Sequence, residues 1–269
     1  MSLSFSNKPI GIFDSGIGGL TVANAIRHSF PNERLIYFGD TAHLPYGDKS
    51  ADTIRYYAIR ISKFLLEHDC KMIIIACNSA SSAAYEVLLD FFKDKCIFVN
   101  VVDPLVNKAI ENGYKKIGII ATKATINSNV YKNKIEAQNQ FVEVIQHATP
   151  LLAPMIEEGF CNDEISQSVI AKYLSHPEFE GIEALLLACT HYPLIKKELT
   201  SFFDNRIDIL DSTEVVVTQV REYLTDKKLL NTGKAVEPVF YVSDYTASFE
   251  ETTNVFYGKK VQLIEKSIW

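Results

Sequence analysis

The chain has 269 residues, 47% hydrophobic and 22% charged, which allows one large core or two modest ones in an ordinary globular protein. Its net charge of −6 comes with only short lysine pairs (Lys115–Lys116, Lys227–Lys228, Lys259–Lys260), so no nucleic-acid partner is expected. The five cysteines, Cys70, Cys77, Cys96, Cys161 and Cys189, have no Cys-x-x-Cys spacing, which excludes a disulfide framework or a zinc knuckle.

The opening Met-Ser-Leu-Ser-Phe-Ser-Asn-Lys lacks an apolar leader, and no uncharged run is long enough to span a bilayer. No membrane partner is therefore expected. A cytoplasmic, reducing compartment is, since free thiols persist there.

Ile10 to Phe13 reads as a first strand, followed by the turn Asp14-Ser15-Gly16-Ile17-Gly18-Gly19 and a helix reaching about His28. Leu35 to Phe38 is a second strand closing on Gly39-Asp40. Ile54, Tyr57, Ala58, Ile61, Phe64 and Leu65 recur at helical spacing between Thr53 and Leu66. Met72 to Ala76 is a third strand that ends in Cys77, with a helix after Asn78 to about Phe92. Ile97 to Val102 is a fourth strand.

The pattern then restarts. Lys116 to Ala121 (Lys-Ile-Gly-Ile-Ile-Ala) echoes Pro9 to Asp14 (Pro-Ile-Gly-Ile-Phe-Asp), with Gly11 and Gly118 107 residues apart. Ala184 to Tyr192 (Ala-Leu-Leu-Leu-Ala-Cys-Thr-His-Tyr) likewise echoes Met72 to Ala80 (Met-Ile-Ile-Ile-Ala-Cys-Asn-Ser-Ala), with Cys77 and Cys189 112 apart. Two such similar offsets point to a duplicated α/β half. Alternating strands and helices imply parallel sheets with right-handed crossovers. The expected fold is α/β, with two similar halves related by pseudo-two-fold symmetry and an active site in the cleft between them. Ile207 to Leu210, a helix from Thr213 to Leu224 and a strand from Val239 to Val242 complete the chain. That tail has no counterpart in the second half, so it is expected to return to the first. The first half is then 1–101 with 211–269, and the second is 102–210.

Ligands of open α/β sheets bind at the carboxyl ends of the strands, where Cys77 and Cys189 fall. Each is expected where a strand gives way to a helix, whose N-terminal N–H groups lower a thiol pKa from about 8.5 towards neutrality. One cysteine in such a strand is more simply a small buried hydrophobe. Two at equivalent places in a repeat favour function, with a base on one face of a carbon and an acid on the other. Cys70, Cys96 and Cys161 lack that context. Asp14 reads either as a carboxylate serving a neighbouring group or as a cap. The glycine run lacks the third glycine of a dinucleotide fingerprint, and a tight turn offering N–H groups to an anionic substrate is more economical. His191 could assist Cys189 as an acid/base; Cys-x-His alone is poor evidence for zinc, and no metal is expected. Asn78, Ser79 and Thr190 could hold carboxylate and ammonium groups, although each alone is more simply a cap.

The chain resembles the cofactor-independent glutamate racemases of the aspartate/glutamate racemase superfamily over essentially its whole length. The resemblance rests on Ile12 to Val22, Tyr37 to Ala42, Pro45-Tyr46-Gly47, Ala76-Cys77-Asn78 and Cys189-Thr190-His191-Tyr192-Pro193-Leu194. It implies Cys77 and Cys189 as the acid/base thiols, with Asp14 near Cys77 and Glu157 and His191 near Cys189. It implies substrate binding by Asp14, Ser15, Tyr46, Gly47, Asn78, Ser79, Thr190 and His191. Ser79 stands where Thr is usual, His43 where Arg is frequent, and Ala188 where Gly precedes the cysteine. The expected activity is interconversion of L- and D-glutamate without a cofactor, supplying D-glutamate for peptidoglycan and hence for cell-wall biogenesis and cell shape. Glutamate is the expected small-molecule partner, and the resemblance leaves room for a homodimer. Some relatives bind DNA gyrase or a peptidoglycan precursor; the residues before Lys8 are shorter than the extension that accompanies the latter. An aspartate racemase is the nearest rival, although Thr190-His191 resembles the glutamate branch. A two-lobed amino-acid binding protein without chemistry is the rival from another class.

Overall fold

The computed structural model describes residues 5–269; residues 1–4, where the segment read for a leader begins, lie outside them. The first half starts with β1 (Ile10–Asp14), α1 (Leu20–Ser29), β2 (Leu35–Gly39) and α2 (Ala51–Glu67). It continues through β3 (Met72–Ile75), α3 (Asn78–Phe91) and β4 (Ile97–Asn100). After α4 (Val102–Glu111) come β5 (Lys116–Ala121), α5 (Lys123–Asn127), α6 (Val130–Gln138), β6 (Glu143–Ala148), α7 (Leu152–Glu157) and α8 (Glu164–Leu174). The chain ends with β7 (Ala184–Ala188), α9 (Lys196–Phe202), β8 (Asp208–Asp211), α10 (Ser212–Asp226), β9 (Val239–Val242), α11 (Ala247–Tyr257) and β10 (Leu263–Glu265).

All strand pairs are parallel. One sheet runs β10-β9-β2-β1-β3-β4 and the other β6-β5-β7-β8, so β2-β1-β3-β4 and β6-β5-β7-β8 have the same order. β1, β3 and β7 are buried at every position, which explains their unbroken apolar runs. Period-two geometry splits each strand between two layers. Ile10, Ile12, Met72 and Ile74 pack with Leu20 and Ile26 of α1 and with Val216 and Val220 of α10. Phe13, Ile73 and Ile75 pack on the other face with Ile54, Ile61 and Leu65 of α2 and Leu88 of α3. Each such aliphatic side chain contributes roughly 1.5–3 kcal/mol on burial.

The tail joins the first sheet, with β9 paired to β2 and β10 to β9. A buried ion pair fastens the loop leading to it. Lys71 Nζ lies 2.7 Å from Glu33 and donates to the Leu229 carbonyl, while Glu33 accepts from the Asn231 amide at 2.8 Å. Among the described residues no helix is long and apolar enough to cross a membrane.

Candidate active site

Because both sheets are parallel, the loops after β1, β2, β3, β5, β6 and β7 gather at their carboxyl ends. They enclose a cavity of about 230 Å³, lined by Ser15, Gly16, Tyr46, Gly47, Cys77, Asn78, Ser79, Thr122, Glu157, Cys189, Thr190 and His191 among others. Pockets for drug-sized ligands run from about 300 to 1,000 Å³, so this one suits a smaller, amino-acid-sized molecule. Every residue that the resemblance implied for catalysis or substrate binding lines it except Asp14, which is fully buried.

Cys77 caps α3, accepting the Ala80 amide at 3.4 Å, and its thiol donates to Ser15 Oγ at 3.6 Å. The expectation of a thiol lowered by a helix N-terminus is corrected here. Burial first, and the Asp14 carboxylate second, push the Cys77 thiol up to about 12, outweighing the Ala80 and Ser15 contacts. Asp14 accepts the Gly16 amide through Oδ2 at 3.0 Å and has no partner at Oδ1. Burial raises its carboxyl, opposed by the charge of His191 and by the amides of the turn. The Gly16 amide thus serves Asp14, where the sequence suggested an anionic ligand.

Cys189 departs further from the symmetric expectation. The segment after it is a short 3-10 turn, Tyr192–Ile195, with Pro193 in its first turn, and α9 begins only at Lys196. The thiol therefore faces a side chain. Its Sγ lies 3.7 Å from His191 Nδ1, and His191 Nε2 lies 2.8 Å from Glu157. Burial alone would lower the imidazole, but hydrogen bonds to Cys189 and Glu157, and their charges, raise it to about 10. Backed by Glu157, the imidazole is placed to pair with negative charge on the Cys189 sulfur. Glu158, beside Glu157, only ends α7.

Gly18 is explained by this imidazole. A Cβ there would lie 2.3 Å from His191 Cε1 and 2.7 Å from Thr190 Oγ1. A Cβ on Gly19 would lie 2.5 Å from that of Asp14. The turn is glycine-rich because Asp14 and His191 are both packed against it.

Several contributors escaped the sequence. Thr122 follows β5 as Ser15 follows β1, so the repeat itself could have located it. Ser79 Oγ meets Thr122 Oγ1 at 2.8 Å across the cleft. Tyr131 of α6 donates to Asn78 Oδ1 at 2.6 Å, leaving Asn78 Nδ2 without a partner at the cavity wall. Tyr46 donates to Asp40 at 2.6 Å, and Ser243, just after β9, donates to the same carboxylate at 2.7 Å. Phe256 of α11 packs edge-on against His191, ring centroids 5.1 Å apart. The tail therefore supports the cavity from behind.

The model of one family, Asp/Glu/Hydantoin racemase, matches residues 20–220. A glutamate racemase from Chlorobaculum parvum is 41% identical over 261 residues, covering 97% of this chain and 96% of that protein. A glutamate racemase from Geobacter metallireducens is 38% identical over 256 residues, covering 94% of each. The crystal structure of glutamate racemase from Francisella tularensis in complex with D-glutamate matches with a TM-score of 0.92 and 39% identity over 98% of each chain.

Proposed function

The chain belongs to the Asp/Glu/Hydantoin racemase family, and from that membership we propose that it interconverts L- and D-glutamate through Cys77 and Cys189. It is an amino-acid racemase, an isomerase. D-Glutamate for peptidoglycan synthesis is the product this reading assigns to it. The observation that carries the mechanism is that both thiols open on one amino-acid-sized cavity, each from the equivalent strand end of a different half.

In this reading the Cys189 sulfur, acting as a thiolate paired with the His191 imidazolium, takes the α-proton of L-glutamate and becomes a thiol, and Glu157 balances the charge left on the imidazole. Cys77, a thiol at neutral pH, returns a proton to the opposite face, and D-glutamate reverses the roles. The α-proton is weakly acidic, so a basic thiolate narrows the gap in proton affinity. The raised Cys77 thiol is such a base, although its thiolate is scarce at neutral pH. The Asn78 Nδ2 donor and the hydroxyls of Ser15 and Thr190 are available to the substrate carboxylates. Fixed dipoles in a closed cleft would then stabilise developing carbanion charge. The two halves, 1–101 with 211–269 and 102–210, are the lobes that would close.

Circular-dichroism polarimetry of each glutamate enantiomer with the purified protein and no additive tests the reading. Loss of optical activity from both supports it. Turnover of aspartate in place of glutamate would assign the rival substrate, and tight glutamate binding without turnover would assign a binding protein.

A further inference from the structure

Outside the cleft, His147, His176 and Glu178 each offer one ligand atom, all within 4.8 Å of one another. We propose that they bind a divalent transition-metal ion of the zinc class. None of the three lines the catalytic cavity. His147 lies near the end of β6, the edge strand of the second sheet, and His176 and Glu178 sit at the short turn Pro177–Phe179.

The distances favour a shared ion over ordinary hydrogen bonding. His176 Nδ1 and a Glu178 carboxylate oxygen are 3.4 Å apart. That is long for a charge-assisted hydrogen bond, about 2.7–2.9 Å. It is close to the spacing of two ligands set tetrahedrally at about 2.0–2.2 Å from one zinc ion. The other contact of that nitrogen, from the Glu178 amide, is also 3.4 Å. His147 Nδ1 is buried and has no hydrogen-bond partner. The two imidazoles are 4.8 Å apart at 68°, and Phe179 packs edge-on against His147 at 5.5 Å. The pair is thus near enough to share an ion without stacking face to face. His176 and Glu178 are 47% and 57% exposed, so water can complete the coordination. Two imidazoles and one carboxylate suit zinc, nickel or copper, whereas calcium and magnesium prefer an all-oxygen shell. Bound metal would tie the end of β6 to the turn before β7 and stabilise the folded state by mass action.

The test is calorimetric titration of chelator-treated, desalted protein with zinc chloride, beside His176→Ala and Glu178→Gln. Wild type should bind one equivalent and gain in Tm. His176→Ala should weaken binding at least tenfold and lose the gain, and Glu178→Gln should weaken it less, with racemisation unchanged in both. Cobalt should give visible d–d bands without a thiolate charge-transfer band, and magnesium or calcium should leave Tm unmoved. The site is refuted by absence of zinc binding, by equal binding in both variants, by a thiolate band marking capture on the cysteines, or by an equal Tm gain with magnesium. None of these outcomes bears on glutamate turnover, so the two proposals fail separately.

Discussion

Cys77 is pressed between a buried carboxylate and the first turn of α3, whereas Cys189 faces an imidazole that is hydrogen-bonded to a second carboxylate. Racemisation in both directions should therefore vanish in either Cys77→Ser or Cys189→Ser, because each turnover of the proposed mechanism uses both thiols. A β-leaving-group analogue, which needs only deprotonation, should still react as one enantiomer in each variant. Near-normal racemisation by either variant would contradict the pairing. Asp14→Asn and His191→Asn should each lower kcat by roughly 10²- to 10⁴-fold, the range of a positioned acid/base group, and unequally in the two directions. A rise in KM alone would return the residue to binding or packing.

His191 also gives a signed pH effect. Its imidazole is raised to about 10, from about 6.5 in an unfolded chain. A raised pKa stabilises the fold in full below the unfolded value and loses that contribution as pH climbs through the folded one. The Tm difference between wild type and His191→Asn should thus be largest below about pH 6.5 and shrink towards pH 10. A difference that grows over that interval would contradict the assignment. Tyr131→Phe frees the Asn78 amide to turn, so KM for both enantiomers should rise by up to about tenfold, the worth of one hydrogen bond, with kcat changed less.

At the scale of elements, the clearance over Gly18 is tight enough to test. Gly18→Ala leaves the backbone unstrained but drives a methyl into His191 and Thr190, so activity should collapse while circular dichroism stays native. Full activity would mean that the imidazole has another resting place. Glu33→Gln should destabilise by about 3–5 kcal/mol in denaturant unfolding, since it leaves the buried Lys71 ammonium without a counter-charge.

The same elements show what the sequence could carry. β1 to β5 and β7 to β9 were legible as short apolar runs, most clearly the central parallel strands, which are apolar on both faces or nearly so. The helices around α5, α7 and α9 were not, having only 5, 6 and 7 residues, too few to display a period. β10, at the sheet edge, exposes two of its three residues and carries little pattern. The cysteines and His191 could be read from local runs. The reason for Gly18, and the roles of Tyr131 and Phe256, depend on contacts across the chain that no local pattern encodes. The raised Cys77 thiol likewise required knowing that Asp14 is buried beside it.

For the whole molecule, two halves built on one strand order supply one thiol each, and the return of the tail fastens the loop bearing Tyr46. Nothing in this division of labour uses a metal. Turnover should therefore survive EDTA and hydroxylamine, even though EDTA would strip the site at His147, His176 and Glu178. Activity recovered only with zinc or pyridoxal phosphate would contradict the two-thiol account. Enantiomers have equal free energy in an achiral solvent, so the two kcat/KM values must be equal whatever the separate terms are.

Two thiols on opposite faces make a further demand that a single mobile base does not. The most direct measurement is proton NMR of both enantiomers at low conversion from L-glutamate in deuterated water. D-Glutamate formed early should carry solvent deuterium at the α-carbon, because the Cys77 thiol that delivers it has equilibrated with solvent. Unreacted L-glutamate should stay protonated, because Cys189 holds the abstracted proton until it is returned or the product leaves. Rapid deuterium entry into L-glutamate, or retention of the original proton in D-glutamate, would contradict the assignment of one thiol to each face.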